Sequence, residues 1–310
     1  MGMQQLKFRD SLGIVLALLA VYLIWGSTYF AIRVALEGGF PPLLMAGVRF
    51  VLAGSALFAV LWWRGAPVPH AKEWLGASLI GTLLLIGGNG GVVIAEQWVA
   101  SGLAALGVAT VPVWTALLGG LGGRWPRRLE WAGLALGFAG VVLLNLEGDL
   151  RASPVGALAL FIAALSWSLG STWSQRVALP AGLMASAAEM LVAGGLFLVL
   201  GLVRGERVGT MPHQSALLAL LYLIVFGALV AFTAYNYLLR RVRPALATSY
   251  AYVNPVVAVG LGVGFADERI TSVGLAAMLV IVAGVALLAW GKKDARRPAR
   301  TTPVSHKQPT

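Results

Sequence analysis

Trp25 and Trp167 sit near the centres of two long apolar runs. A membrane tryptophan normally lies at the interface, where its ring is dry and its N–H is wet. At mid-depth each indole needs a polar partner or a watery cavity. Thr28 and Tyr29 follow Trp25 by three and four residues, and Ser171 and Ser174 follow Trp167 by four and seven, on roughly the same helical faces. The chemistry this implies is non-covalent: an aromatic and hydroxyl lining for an amphipathic or aromatic-bearing solute. A second reading is helix packing, because Gly26-Ser27 and Gly170-Ser171 are small enough to let backbones approach. Both readings can hold on different faces.

Pro112 and Pro255 are also central in apolar runs. A proline there removes a backbone hydrogen bond and kinks its helix. The carbonyl it frees must face protein or water. The polar residues Thr248, Ser249, Tyr250, Tyr252 and Asn254 gather just before Pro255, so a kink facing a pathway is expected. Asn89, Trp114, Tyr235, Tyr250 and Asn254 complete the expected cavity lining begun by the tryptophan motifs. The run Gly87-Gly88-Asn89-Gly90-Gly91 reads as a hinge or as a close packing site.

The charges inside apolar runs are few: Arg33, Arg49, Glu96, Arg176, Glu189, and Arg240 at a run's end. Arg33 and Arg176 read as snorkelling side chains. Arg49 and Glu189 lie deeper, where a paired or functional charge is the rule. Counted by depth, Arg49 is ~10 Å inside its run at 1.5 Å per residue, and Glu189 is equally deep from the opposite side. The expected pairs are therefore Arg49–Glu96 and Glu189–Arg240, one near each face, with separate snorkelling as the other reading. No Asp lies mid-membrane, so a proton-coupling site would be Glu96 or Glu189.

Catalytic and cofactor motifs are missing from the sequence. It has no cysteine, three histidines, no HExxH and no Gly-x-Ser-x-Gly. No cofactor or metal is implied. A net charge of +11 accompanies no nucleic-acid motif, and its basic residues occupy gaps between apolar runs. With 59% apolar and 11% charged residues, the chain is too apolar for an ordinary soluble domain. Its first partner is the lipid bilayer.

What must position these residues is a duplicated all-α membrane fold. Trp25-Gly26-Ser27-Thr28 with Arg33-Val34-Ala35 returns as Trp167, Gly170-Ser171-Thr172 and Arg176-Val177-Ala178, about 140 residues later. Leu44-Met45-Ala46 returns as Leu183-Met184-Ala185, Arg64-Gly65 as Arg204-Gly205, and Pro112 as Pro255. Ten apolar segments are expected, near 12–35, 41–63, 74–98, 102–123, 129–146, 154–175, 182–203, 215–239, 245–265 and 270–290. They divide into units 12–146 and 154–290, followed by a basic, disordered tail, 291–310. Lys and Arg concentrate on one set of connections, leaving only Arg33, Arg151, Arg204, Arg207 and Arg269 on the other. Both termini are then cytoplasmic. An odd number of spans per unit inverts the second, which puts a substrate site at the midplane and implies alternating access. A channel-like facilitator is the runner-up, and an intramembrane enzyme a more distant one.

The five-plus-five layout resembles the EamA branch of the drug/metabolite transporter superfamily. Ala234-Tyr235-Asn236-Tyr237-Leu238-Leu239-Arg240-Arg241-Val242-Arg243-Pro244-Ala245 is similar to that family's eighth helix and following turn, and Asn254-Pro255-Val256 to its ninth helix. Ile24-Trp25-Gly26-Ser27-Thr28-Tyr29-Phe30 and Ala247-Thr248-Ser249-Tyr250-Ala251-Tyr252-Val253-Asn254-Pro255 look like the YedA-type subgroup. The resemblance implies export of small metabolites, amino acids or drugs across the inner membrane. A Gly-Glu common in the family reads Ala266-Asp267-Glu268 here.

Overall fold

The structure, a computed structural model, describes residues 2–99, 101–123, 125–145, 153–209, 211–265 and 271–290. The expected tail, and Arg124, Arg151 and Arg269, lie outside the described residues. Every regular element among the described residues is helical, the arrangement that satisfies backbone polar groups without water. The helices are α1 (Gly2–Glu37), α2 (Pro42–Trp63), α3 (Ala71–Ala95), α4 (Ser101–Val108), α5 (Val111–Leu121) and α6 (Arg128–Asn145). They continue as α7 (Pro154–Trp173), α8 (Met184–Val203), α9 (Gln214–Arg241), α10 (Pro244–Ala247), α11 (Tyr250–Phe265) and α12 (Ser272–Trp290). Seven are long and apolar enough to cross a membrane: α1 from Ser11, α2, α3, α7, α8, α9 and α12. Large apolar side chains such as Leu23, Phe30, Leu158, Ile162, Leu275 and Leu279 are exposed, as a lipid-facing surface requires.

Two expected segments are broken. The fourth divides at Ala109-Thr110, where the Thr110 hydroxyl donates back to the Gly107 carbonyl at 2.6 Å. Pro112 therefore falls in the first turn of α5 rather than kinking a continuous helix. At that position its missing N–H has no intrahelical partner to lose. The ninth divides at Thr248-Ser249, and Pro255 does lie inside α11. α3 and α9 each contain a π-helical stretch, Thr82–Gly90 and Leu223–Phe232.

Local signals repeat with the sequence. α2 and α8 end in the same cap. Gly65 and Gly205 adopt left-handed φ of 83° and 76°. The amide beyond each reaches back, Ala66 to the Leu61 carbonyl and Glu206 to the Gly201 carbonyl, both at 2.9 Å. This is the Schellman pattern, for which glycine carries no steric penalty.

The long-range packing has an exchange property. α2 packs on α8 and α6 on α12, each helix against its own counterpart. α1 packs on α9 and α11, while α7 packs on α3 and on α4 and α5. Two counterpart interfaces are backbone-close. A Cβ on Gly194 would stand 2.6 Å from the Val51 amide, and one on Gly284 2.5 Å from that of Gly137. Where α1 ends, which we term the upper face, the His213 amide donates to the Gly38 carbonyl at 3.0 Å. Here the Glu206 carboxylate also caps α2 through the Leu43 and Leu44 amides at 3.0 and 2.9 Å. At the lower face the Gln175 amide donates to the Leu239 carbonyl at 2.7 Å, and Glu130 bridges Arg243 at 3.0 Å.

Candidate functional site

α1, α7, α9 and α11 bring four aromatic rings together at mid-depth. The Trp25 ring centroid lies 5.4 Å from Trp167, 5.2 Å from Tyr235 and 4.7 Å from Tyr250. The Trp25 indole donates to the Gly227 carbonyl at 3.2 Å, a carbonyl of the π stretch in α9. The Trp167 indole donates to the Tyr235 hydroxyl at 3.0 Å, and that hydroxyl shares a 2.6 Å hydrogen bond with Ser171. Each mid-depth indole thus has its polar partner. The small residues beside the tryptophans pack as well: a Cβ on Gly26 would meet Val257 at 2.6 Å, and one on Gly170 would meet Leu84 at 2.8 Å. The lining and the packing readings both hold, on different faces.

Above this cluster lies a small cavity of about 70 Å³. Trp25, Thr28, Tyr29, Asn89, Trp167, Tyr250 and Asn254 line it together. Ser171 and Tyr235 do not; they stand one layer behind, holding Trp167. Trp114 does not either, and packs edge-on against Phe161 at 5.6 Å. Sequence reasoning missed Ile32, Val92, Val108, Val111 and Ala163-Ala164, which with Gly88 and Arg49 complete the wall. Helical spacing carried the signal: Ile32 follows Thr28 by four, Val92 follows Asn89 by three, and Ala163 and Ala164 precede Trp167 by four and three. The glycine run of α3 is a packing site. Cβ atoms on Gly87, Gly88, Gly90 and Gly91 would collide with Ser166, Trp167, Phe197 and Ala163.

The buried charges are placed differently from expectation. Arg49 forms no ion pair with Glu96. It is 3% exposed, lines the cavity, and its Nε has no hydrogen-bond partner. Its guanidinium lies 4.7 Å from the Phe50 ring centroid. Glu96 stands within electrostatic range of Arg33 and Tyr29 instead, and its Oε1 is unpartnered. Glu189 forms no ion pair with Arg240 either. It accepts from the Asn236 amide at 2.6 Å, and Arg240 donates to the Pro180 carbonyl at 3.3 Å. Arg240 acts on Glu189 only at longer range. Position along the helix decided the second pair: Asn236, on the same face as Arg240 and one turn before it, is the one that meets Glu189.

Asn89 Oδ1 and Asn254 Oδ1 also lack partners, while Tyr29 lies within hydrogen-bonding reach of the Asn254 side chain. The cavity wall is thus apolar and aromatic with a few open polar groups, the make-up of a small-molecule site.

A bundle of long apolar helices defines a multi-pass membrane protein, and this one encloses a cavity. The sequence matches the EamA-like transporter family twice, over residues 11–146 and 154–290, and the chain belongs to that family. It is 49% identical to the uncharacterized inner membrane transporter YedA of Escherichia coli strain K12 over 93% of this chain and 94% of that one. It is 26% identical to a probable amino-acid metabolite efflux pump of the same organism, over 89% and 94% of the two chains. A solved crystal structure of another protein matches with a TM-score of 0.75 over 88% of this chain and 95% of its own. At 23% identity that likeness speaks for the fold alone.

Proposed function

We propose that the protein exports small metabolites, amino acids or drugs across the inner membrane by alternating access. In this reading ten spans form two inverted five-helix repeats, 12–146 and 154–290, with both termini and the basic tail 291–310 in the cytoplasm. The exchange property of the helix contacts supports a two-fold relation between the repeats. The upper face is then the periplasmic one. The observation that carries the mechanism is the cavity's asymmetry: its lining belongs to the upper half, and the aromatic cluster closes it below. Movement of the halves would open the lower side and close the upper. Glu96 and Glu189 are the carboxyls available if protons are the coupling ion.

Counterflow in proteoliposomes tests this against a panel of amino acids, sugars, nucleosides and cationic drugs. Saturable exchange is the expected result; conductance without saturation would mean a channel instead. A reporter fused to the carboxyl terminus should report cytoplasm, and a periplasmic signal would overturn the topology.

A further inference from the structure

Arg49 is the charge this fold leaves open. It lines the cavity at 3% exposure and makes no hydrogen bond or ion pair with any described residue; its guanidinium rests over the Phe50 ring. Its surroundings leave room for the guanidinium: a Cβ on Gly227 would stand 2.8 Å from Nη2. A membrane arginine without an anion is costly, and such residues mark substrate or ion paths.

We infer that Arg49 anchors a carboxylate of the solute. This rests on the reading of the cavity as the substrate site. The planar fork of the guanidinium matches a carboxylate bidentately. A phosphate fits less well, because Arg49 is the one cation among the lining residues. The apolar wall between the polar groups takes the solute's carbon body.

The chain has no cysteine, so Val92→Cys places a single thiol on the cavity wall. Its labelling by an anionic reagent, sulfonatoethyl methanethiosulfonate, is compared with labelling by the cationic trimethylammonium-ethyl analogue. The expected result is a preference for the anion that falls at least about tenfold with Arg49→Gln, because losing the charge slows the anionic reagent and speeds the cationic one. 3-Phenylpropionate should protect the thiol, and its amide should not. Arg49→Lys should keep the reagent preference but weaken that protection about tenfold, because the fork is lost.

An unchanged reagent preference in Arg49→Gln overturns the inference, as does protection by the amide equal to that by the acid. Absent protection by 3-phenylpropionate overturns it too, and sulfate protecting equally well reduces the site to a general anion site. Labelling needs no flux, so a failed transport reading and a failed Arg49 reading are separable. A thiol that reacts with neither reagent overturns the open cavity itself.

Discussion

The upper and lower halves of the bundle treat buried charges and amides differently. At and below the aromatic cluster most such groups are matched, although Thr115 Oγ1 and Arg243 Nη1 stay open. Tyr235 holds Trp167 and Ser171, Asn236 holds Glu189 and Ser186, Tyr22 holds Ser249 at 2.6 Å, and Glu130 holds Arg243. Above it, Arg49 Nε, Asn89 Oδ1, Glu96 Oε1 and Asn254 Oδ1 are unmatched. Arg49 and Glu189 occupy corresponding positions in the two repeats, yet one side chain is open and the other satisfied. An unmatched buried group costs about 1–3 kcal/mol, so a group of them around one cavity is either hydrated or waiting for a ligand. The difference teaches that this conformation is sealed on one side and receptive on the other.

The strongest way to break the contrast is to remove the partition. Trp25→Ala or Trp167→Ala deletes the rings that separate the halves, and transport in proteoliposomes should be lost while membrane abundance stays normal. Normal transport in both variants would show that the partition is not needed. Gly227→Ala attacks the receptive side. Its methyl group would meet Arg49 Nη2 at 2.8 Å and Thr28 at 3.2 Å. Overpacking of this kind costs about 1–3 kcal/mol, and initial flux rates should fall with it.

Asn236→Ala tests the matched side. It removes the donor to a carboxylate that is 1% exposed, which should cost about 2 kcal/mol and appear as a lower melting temperature. Glu189→Gln, which leaves no charge stranded, should cost less; equal losses would mean that the Asn236 contact carries no weight. The smallest effect belongs to Glu130→Gln. Arg243's side chain is 36% exposed, and a partly solvated bridge is worth about 0–1 kcal/mol. Stability should barely move, while a cysteine probe at the lower face should become more accessible.

The sequence carried a large part of this picture. The repeat of Trp25 at Trp167 located the partition, because a mid-depth indole has few alternatives to a polar partner or a cavity. Seven of the cavity residues were legible for the same reason: depth and polarity can be counted along a chain. What could not be counted was rotation about each helix axis. Arg49 and Glu96 have compatible depths but do not meet. Glu189 and Arg240 miss each other for a different reason: a neutral Asn236, one turn earlier on the same face, lies nearer the depth of Glu189 and takes the contact. Trp114 has the right depth and faces Phe161 instead. The break before Pro112 escaped for a related reason. A proline is equally consistent with kinking a helix and with starting one, and here the Thr110 turn decided between them.

The π stretches of α3 and α9 hold a store of slack. Their hydrogen bonds span five residues where the flanking turns span four. Such a wide turn can travel along a helix by exchanging one bond for its neighbour, with the chain never unwinding. Each step turns the segment it passes by about one residue's share of a helical turn, roughly 100°. Asn89 and Gly227 both lie inside these stretches, one on the cavity wall and one against Arg49. With its glycine run already packed against α7, α3 has little freedom to bend. Nor can it turn freely, since a step of roughly 100° would swing its larger side chains into the contacts that the glycines now keep open, so the slack stays stored while α7 is seated on it.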